Sequence, residues 1–317
     1  MTRRIFDAFP FDGELDLLEF HLRETFDHVD FFVLIEAGQT YRGDPKPCHF
    51  DANQPRFAWA RHKIRPVRLA RLGSETATAR ERAAVQRQAM TLALGDAAPD
   101  DIILLLDVDE VPSVSALQHL RVHGLAAPQR LEMTRHYGFA DRLGPASPCC
   151  PADDLPFASA HKHQAPGAWA TLDPRWFGHS GVAIPFSALA NRSAFDLRYA
   201  TPMGEPMRDA GRHYSSVDPT TRLEDKLGRV FHAEWDGPRE RDPRHLARCR
   251  RFGVHHRGWW YADRPAGDLP DDVARLVAVL PSAEGGACPH SVMRRLVRAW
   301  AWMRLSPLLP ARLVRLI

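Results

Sequence analysis

Three things are scarce in this sequence: long apolar runs, paired cysteines and a surplus of charge of either sign. No stretch approaches the roughly 18–20 uninterrupted apolar residues of a membrane span, so no transmembrane helix is expected. The five cysteines, at 48, 149, 150, 249 and 288, form no C-x-x-C pair and leave an odd thiol over. Neither a disulfide framework nor a paired-cysteine zinc site is expected, although His161 and His163 lie near two of the thiols. Lys and Arg number 42 against 39 Asp and Glu, a net charge of +3. That balance is too even to announce a nucleic-acid surface. Near the N-terminus, Asp7, Asp12, Glu14 and Asp16 interrupt the apolar core that a secretory signal needs, so a cytoplasmic chain is expected. Repeats and low-complexity tracts are also missing.

What is there is 317 residues, enough for one large α/β domain or two smaller ones. "RIFDAFPF" (4–11), "DFFVLIEA" (30–37) and "DDIILLL" (100–106) are apolar strand candidates, and "KIRPVRL" (63–69) is a weaker one. Between them, Leu15, Leu18 and Leu22 recur at helical spacing, and "ETATARERAAVQRQAMTLAL" (75–94) is predicted as one long helix. Alternating strands and helices, with continuous rather than alternating apolar runs, point to a mostly parallel sheet covered on both faces. Ligands of such sheets collect at the carboxyl ends of the strands. Residues 145–207 are rich in Pro, Gly, Trp and His and yield little beyond loops and short strands, while 220–235 recovers a helical pattern.

At one of those carboxyl ends, "DDIILLLDVDEVP" drives five apolar residues into Asp107, Asp109 and Glu110. On an extended chain, residues i and i+2 share a side, so the two aspartates are expected to converge. Crowded carboxylates raise one another's pKa unless a cation neutralises them, and Mg²⁺ or Mn²⁺ suits oxygen ligands of this kind. The alternative is that the acids cap the helix that follows.

"ILLLDVDEVP" resembles the DxD motif of GT-A glycosyltransferases. Together with "IFDAFPFDGELDLLEFHLRE", "DFFVLIEAGQTYRGDPKPCHF", "QRQAM", and "GRHYSS" followed by "KLGRVFHAEW", in that order, the chain resembles glycosyltransferase family 17. Arg212 departs from the aromatic residue expected before the histidine of "GRHYSS", and 145–168 matches no block. The resemblance implies a GT-A-like, Rossmann-type α/β domain over 1–265, followed by a C-terminal helical extension over 266–317. It implies inverting, metal-dependent transfer of a sugar, N-acetylglucosamine from UDP-GlcNAc, to a glycan acceptor.

The same resemblance suggests roles. Asp109 is the expected direct metal ligand, with Asp107 reaching the ribose or a metal-bound water. Glu110 shares the metal or caps a helix, and His213 adds a metal or diphosphate contact. Gln86 and Arg87 serve the diphosphate, for which a guanidinium is suited, whereas Arg82 is read as a solvated face. Glu36, at another strand end, contacts the base or ribose, or is merely an exposed strand end. The base that accepts the hydroxyl proton is sought in Asp209 or Glu234.

Trp169, Trp176, Trp259 and Trp260 have flat indoles suited to stacking on sugars, but each is read by default as core material. The adjacent His255 and His256 point apart in regular backbone and make a poor metal pair. The last segment, with Arg294, Arg295, Arg298 and Arg304 among apolar residues, reads as a basic interfacial helix or as an amphipathic helix docked on the domain. As an interfacial helix it would bring the enzyme to a lipid-linked glycan at the inner membrane face. Two other functions fit the same acids: a metal-dependent phosphohydrolase or nucleotidyltransferase, and a catalytically silent sugar-binding protein.

Overall fold

In the computed structural model, residues 3–143 except 138, 181–217 except 200–202, 204 and 216, residue 238, 242–252 and 271–279 are described. Residues 220–235, the tryptophans and histidine pairs named above, and the arginine-rich final segment lie outside them.

The fold grows from β1 (Ile5–Phe11), whose side chains alternate between two buried layers. Ile5, Phe9 and Phe11 enter one core with Phe32, Leu34, Ile102 and Leu104. Phe6 and Ala8 enter a second with Val33, Ile35, Ile103 and Leu105. Strands buried on both faces need no polar alternation, which is why β2 (Phe31–Ala37) and β4 (Ile102–Leu105) read as continuous apolar runs. β1 pairs in parallel with both, and β3 (Ile64–Leu69) adds a further parallel strand beyond β2.

The remaining strands are β5 (Glu110–Pro112), β6 (Gln129–Tyr137), β7 (Phe139–Leu143), β8 (Val182–Pro185) and β9 (Met207–Ser215). The sheet runs β3-β2-β1-β4-β8-β6-β9-β5, with β7 on β6. β8 is antiparallel to β4, β6 antiparallel to β8, β9 parallel to β6 and β5 antiparallel to β9. The sheet is therefore mixed: its first four strands are parallel, as expected, and beyond them the antiparallel strands include one parallel pair, β6 with β9.

Helices cover both faces. α1 (Leu15–Thr25) lays Leu18 and Leu22 on the first core, each fully buried apolar side chain contributing roughly 1.5–3 kcal/mol. α4 (Val114–His123) adds Leu117 and Leu120 to the same layer. α2 (His49–Ala52) and the 3₁₀ turn Gln54–Ala60 complete that face through Phe50 and Phe57.

On the opposite face lie α3 (Ala79–Gln88), the 3₁₀ turn Ala89–Ala93 and α5 (Ala194–Tyr199). The helix expected over 75–94 is thus shorter at both ends. Thr78 and Glu81 form a reciprocal capping box that starts it, and beyond Gln88 the backbone tightens to 3₁₀. Two further helices are α6 (Pro243–Phe252) and α7 (Asp271–Val277). α7, although it falls in the 266–317 segment, packs Leu276 with Leu17, Phe20, Val111 and Tyr214. Arg275 of α7 bonds Glu24 of α1. Among the described residues no helix is long and apolar enough to cross a membrane.

Inside the first core, Asp7 of β1 and His21 of α1 are both fully buried and lie 2.7 Å apart. Burial works against a charged imidazole, but the Asp7 carboxylate outweighs it and raises the His21 pKa. A raised folded-state pKa gives stability that is complete below the unfolded value of about 6.5 and is lost as pH rises through the folded value. The stability gap between the native chain and Asp7→Asn should therefore narrow as pH rises above neutrality in urea unfolding. A gap that widens would contradict this charge assignment.

Backbone geometry also constrains the β5–β9 ribbon. Gly211 has φ +150°, and a Cβ there would lie 2.2 Å from the Val111 carbonyl oxygen. Gly211→Ala should cost on the order of 1–3 kcal/mol, read as a lower urea midpoint; an unchanged midpoint would show that the ribbon yields freely.

Candidate active site

Extended backbone ends at Leu106, and the acidic stretch is a tight turn. The Glu110 amide donates to the Asp107 carbonyl at 2.9 Å, and the Asp107 amide donates to Glu110 Oε2 at 2.8 Å. The two aspartates are therefore carried by a turn, not by alternation along a strand. Nor do the acids cap the next helix: Ser113 does so, its hydroxyl accepting from the Ala116 amide.

Two arginines from the helices on one face hold this turn. Arg87 of α3 donates to the Leu106 carbonyl at 2.9 Å and, through Nη2, to Asp107 Oδ1. Arg198 of α5 donates to the Leu105 carbonyl at 3.0 Å, to Asp107 Oδ2 at 3.1 Å and to Glu110 Oε1 at 2.7 Å. Each guanidinium thus grips both a carbonyl at the end of β4 and a carboxylate of the turn, a planar multi-donor task that lysine cannot reproduce. Tyr199 stands 3.4 Å from Arg87 Nη2. The Tyr41 hydroxyl, within the fields of Arg87 and Asp107, has its pKa pushed well up by burial.

The acids of the turn differ in exposure and protonation. Partial burial works against the Asp107 charge, but Arg87 and Arg198 hold its carboxyl below the usual range. Its side chain remains 38% exposed. Glu110 is fully buried, and burial, reinforced by the Asp107 charge, raises its pKa despite Arg198. With one oxygen on Arg198 and the other on the Asp107 amide, Glu110 serves here as a structural acid.

β9 brings in the histidine. His213 pairs with Glu110 across the β5–β9 ladder, and the Tyr214 amide donates to the Asp109 carbonyl at 2.7 Å. His213 Nε2 lies 3.5 Å from Asp109 Oδ1, and its Nδ1 lies 3.9 Å from Glu110 Oε1. Two donors at right angles around one Mg²⁺-sized ion stand about 3 Å apart, so Asp109 and His213 fit a shared cation with little adjustment. Among the described residues no three His, Cys, Asp or Glu side chains are grouped to hold a metal ion. A hard divalent ion that takes few protein ligands and completes its shell with phosphate oxygens and water suits such a pair.

The other expected residues go elsewhere. Glu36 accepts from the backbone amides of His49 and Phe50 at 2.6 and 3.0 Å, so it holds the start of α2 and, being buried, is not an exposed strand end. Gln86 donates to the Ile35 carbonyl at 2.8 Å, bracing the end of β2 against α3. Arg82, read as a solvated face, is 5% exposed and bonds the backbone carbonyls of Tyr41, Ser74 and Glu75. Asp209 has a left-handed φ of +52° and lines a pocket of about 330 Å³ with Phe20, Val111, Pro112 and Arg212. Arg212, where an aromatic was expected, pairs with Asp272 of α7. Glu234 lies outside the described residues.

Arg198 has no place in the sequence reading. The signal that could have found it is energetic: two enclosed carboxylates at a strand end demand more positive charge than Arg87 supplies. Arg198→Ala, which strips a buried partner from Glu110, should lower stability by roughly 3–5 kcal/mol. Glu110→Gln in the same chain should restore part of that loss. Urea unfolding of the single and double variants measures both effects, and an unrescued double variant would contradict the charge-compensation account.

Residues 1–140 match the family model described as glycosyltransferase family 17. Over 149 residues the chain is 29% identical to the beta-1,4-mannosyl-glycoprotein 4-beta-N-acetylglucosaminyltransferases of Rattus norvegicus and Homo sapiens. The alignment covers 44% of this chain and 28% of each relative, so the chain matches under a third of the length of these curated relatives.

Proposed function

From the match of residues 1–140 to glycosyltransferase family 17, we propose that this chain is a glycosyltransferase moving N-acetylglucosamine from UDP-GlcNAc to a glycan acceptor, with inversion. The observation that carries the reading is the arginine-braced acidic turn at the carboxyl edge of the parallel strands, the edge where α/β sheets bind their ligands. That arrangement, with four parallel strands followed by antiparallel β8, supports assigning residues 1–265 a GT-A-like fold.

In this scheme an acceptor hydroxyl attacks the anomeric carbon while the bond to the diphosphate breaks, and the hydroxyl proton passes to a base. Asp109 and His213 would hold Mn²⁺ or Mg²⁺, which when bound offsets the charge of the departing diphosphate. Asp107, half-open and kept ionised by its arginines, offers a carboxylate to ribose hydroxyls. Glu110, Glu36 and Gln86 act by holding backbone and not by touching donor. The base is sought in Asp209, at the rim of its pocket, or Glu234. The enzyme would work in the cytoplasm, with 266–317 approaching a lipid-linked acceptor at the membrane face.

Calorimetric titration of UDP and UDP-GlcNAc into the full chain, with Mn²⁺ and again with chelator, tests this reading. Binding should require the metal and weaken at least tenfold in Asp109→Asn, with release of UDP strictly dependent on acceptor. Nucleotide turnover without acceptor would favour a phosphohydrolase, and no binding under any condition would overturn the assignment.

A further inference from the structure

The buried imidazole of His21 is the best-placed titratable group that the proposed chemistry does not use. Its Nε2 lies 2.7 Å from Asp7 Oδ2 and its Nδ1 lies 2.9 Å from the backbone carbonyl oxygen of Val108, the residue between the two aspartates of the turn. A carbonyl oxygen only accepts, and an ionised carboxylate only accepts, so both ring nitrogens must donate. The ring is then an imidazolium enclosed between α1, β1 and the turn, with Phe9 packed against it, tilted by 33° at a centroid distance of 5.0 Å. The charged groups whose fields reach it are Asp7 from β1 and Glu110 from the turn.

The turn is thereby held from both sides of the sheet. Arg87 and Arg198 fix it from the α3 and α5 face through carboxylates and the carbonyls of Leu105 and Leu106. On the α1 face His21 supplies a polar tether, to Val108, in a largely apolar layer that includes Val108 itself. A side chain that only stabilised α1 would not need to reach a carbonyl 87 residues away.

We infer that His21 is a positioning residue: as an imidazolium anchored by Asp7, it fixes the Val108 carbonyl and so sets the Asp107–Glu110 turn in its binding geometry before donor and metal arrive. Removing it leaves the carboxylates in place but lets the turn sample other conformations, so ligand binding must pay the ordering cost. The role needs the cation and not merely a hydrogen-bonding side chain, because Asp7 has no other partner: its Oδ1 makes no hydrogen bond among the described residues.

Three measurements test this, and only the last, affinity for nucleotide, rests on the nucleotide-sugar reading. In the full chain labelled with ¹⁵N-histidine, the ring signals that vanish in His21→Gln should show both nitrogens protonated at pH 7, where a free imidazole is mostly neutral; a neutral tautomer would overturn the proposal. In the same variant, hydrogen exchange at the Asp107 and Glu110 amides should speed at least tenfold, while amides of the β1–β2 ladder keep their rates. Uniform acceleration would mean global destabilisation and sink the positioning role. Asp7→Asn, which keeps the volume and removes the charge, should give the same local pattern should His21→Gln fail to fold, and unchanged exchange at the turn would again overturn the proposal. Affinity for UDP with Mn²⁺ should fall about tenfold in either variant. If the native chain binds no nucleotide, the function fails while the exchange and ring signals still judge His21; if it binds and the folded variants bind equally well, positioning fails while the function stands.

Discussion

Everything at the candidate site depends on neutralising carboxylates that the fold draws in at the end of a buried strand. Placing Asp107 and Glu110 where β4 leaves the sheet would cost several kcal/mol per ion if either were left unpaired. Arg87 and Arg198 meet that cost from two different helices, and each also satisfies a main-chain carbonyl that the ending strand leaves over. The consequence is that the architecture on this face of the sheet, with α3 and α5 packed side by side, is tied to the electrostatics of four residues. The site divides into a closed part, Glu110 with Arg198, and a part open through the exposed side of Asp107, to which the proposed chemistry adds Asp109 and His213, both mostly buried. Ligand chemistry belongs to the open part, and the closed part keeps it in place.

Much of this was legible in the residues. The runs at 4–11, 30–37 and 100–106 announce β1, β2 and β4 because a strand covered on both faces has no polar residue to spare. The acidic turn stands out for the opposite reason, as charge abutting such a strand. Glu36 shows where this reasoning runs out: a buried acid at a strand end reads the same whether it meets a ligand or two backbone amides. Only the position of α2, set by tertiary packing, decides for the amides. Arg82 misled in the reverse direction, since an arginine on a helix of low hydropathy looks solvated until the loop that it grips is in place.

The mixed half of the sheet was hidden for a related reason. β8 joins β4 from about 80 residues further along, and β5 is only Glu110–Pro112, too short to carry a periodicity of its own. Strand direction is a property of such long-range pairings, and apolar runs do not encode it. The shortened α3 was nearer to hand. Thr78 and Glu81 spell a capping box in the sequence, and reading helix formers alone passed over it.

The placement of Arg198 and His213 has a bearing on how the protein is assembled. The segment matched by the family ends at residue 140, after the acidic turn and Arg87 but before either of these partners. A chain emerging from the ribosome would therefore expose a carboxylate cluster with one of its two arginines for as long as synthesis takes to reach α5 and β9. The turn gains its full set of partners only after α5 and β9 have been made, although the strand that leads into it is made well before them. Competence for ligand is in that sense a signal of completed folding: the open carboxylates acquire their geometry only once distant pieces of the chain have closed around them.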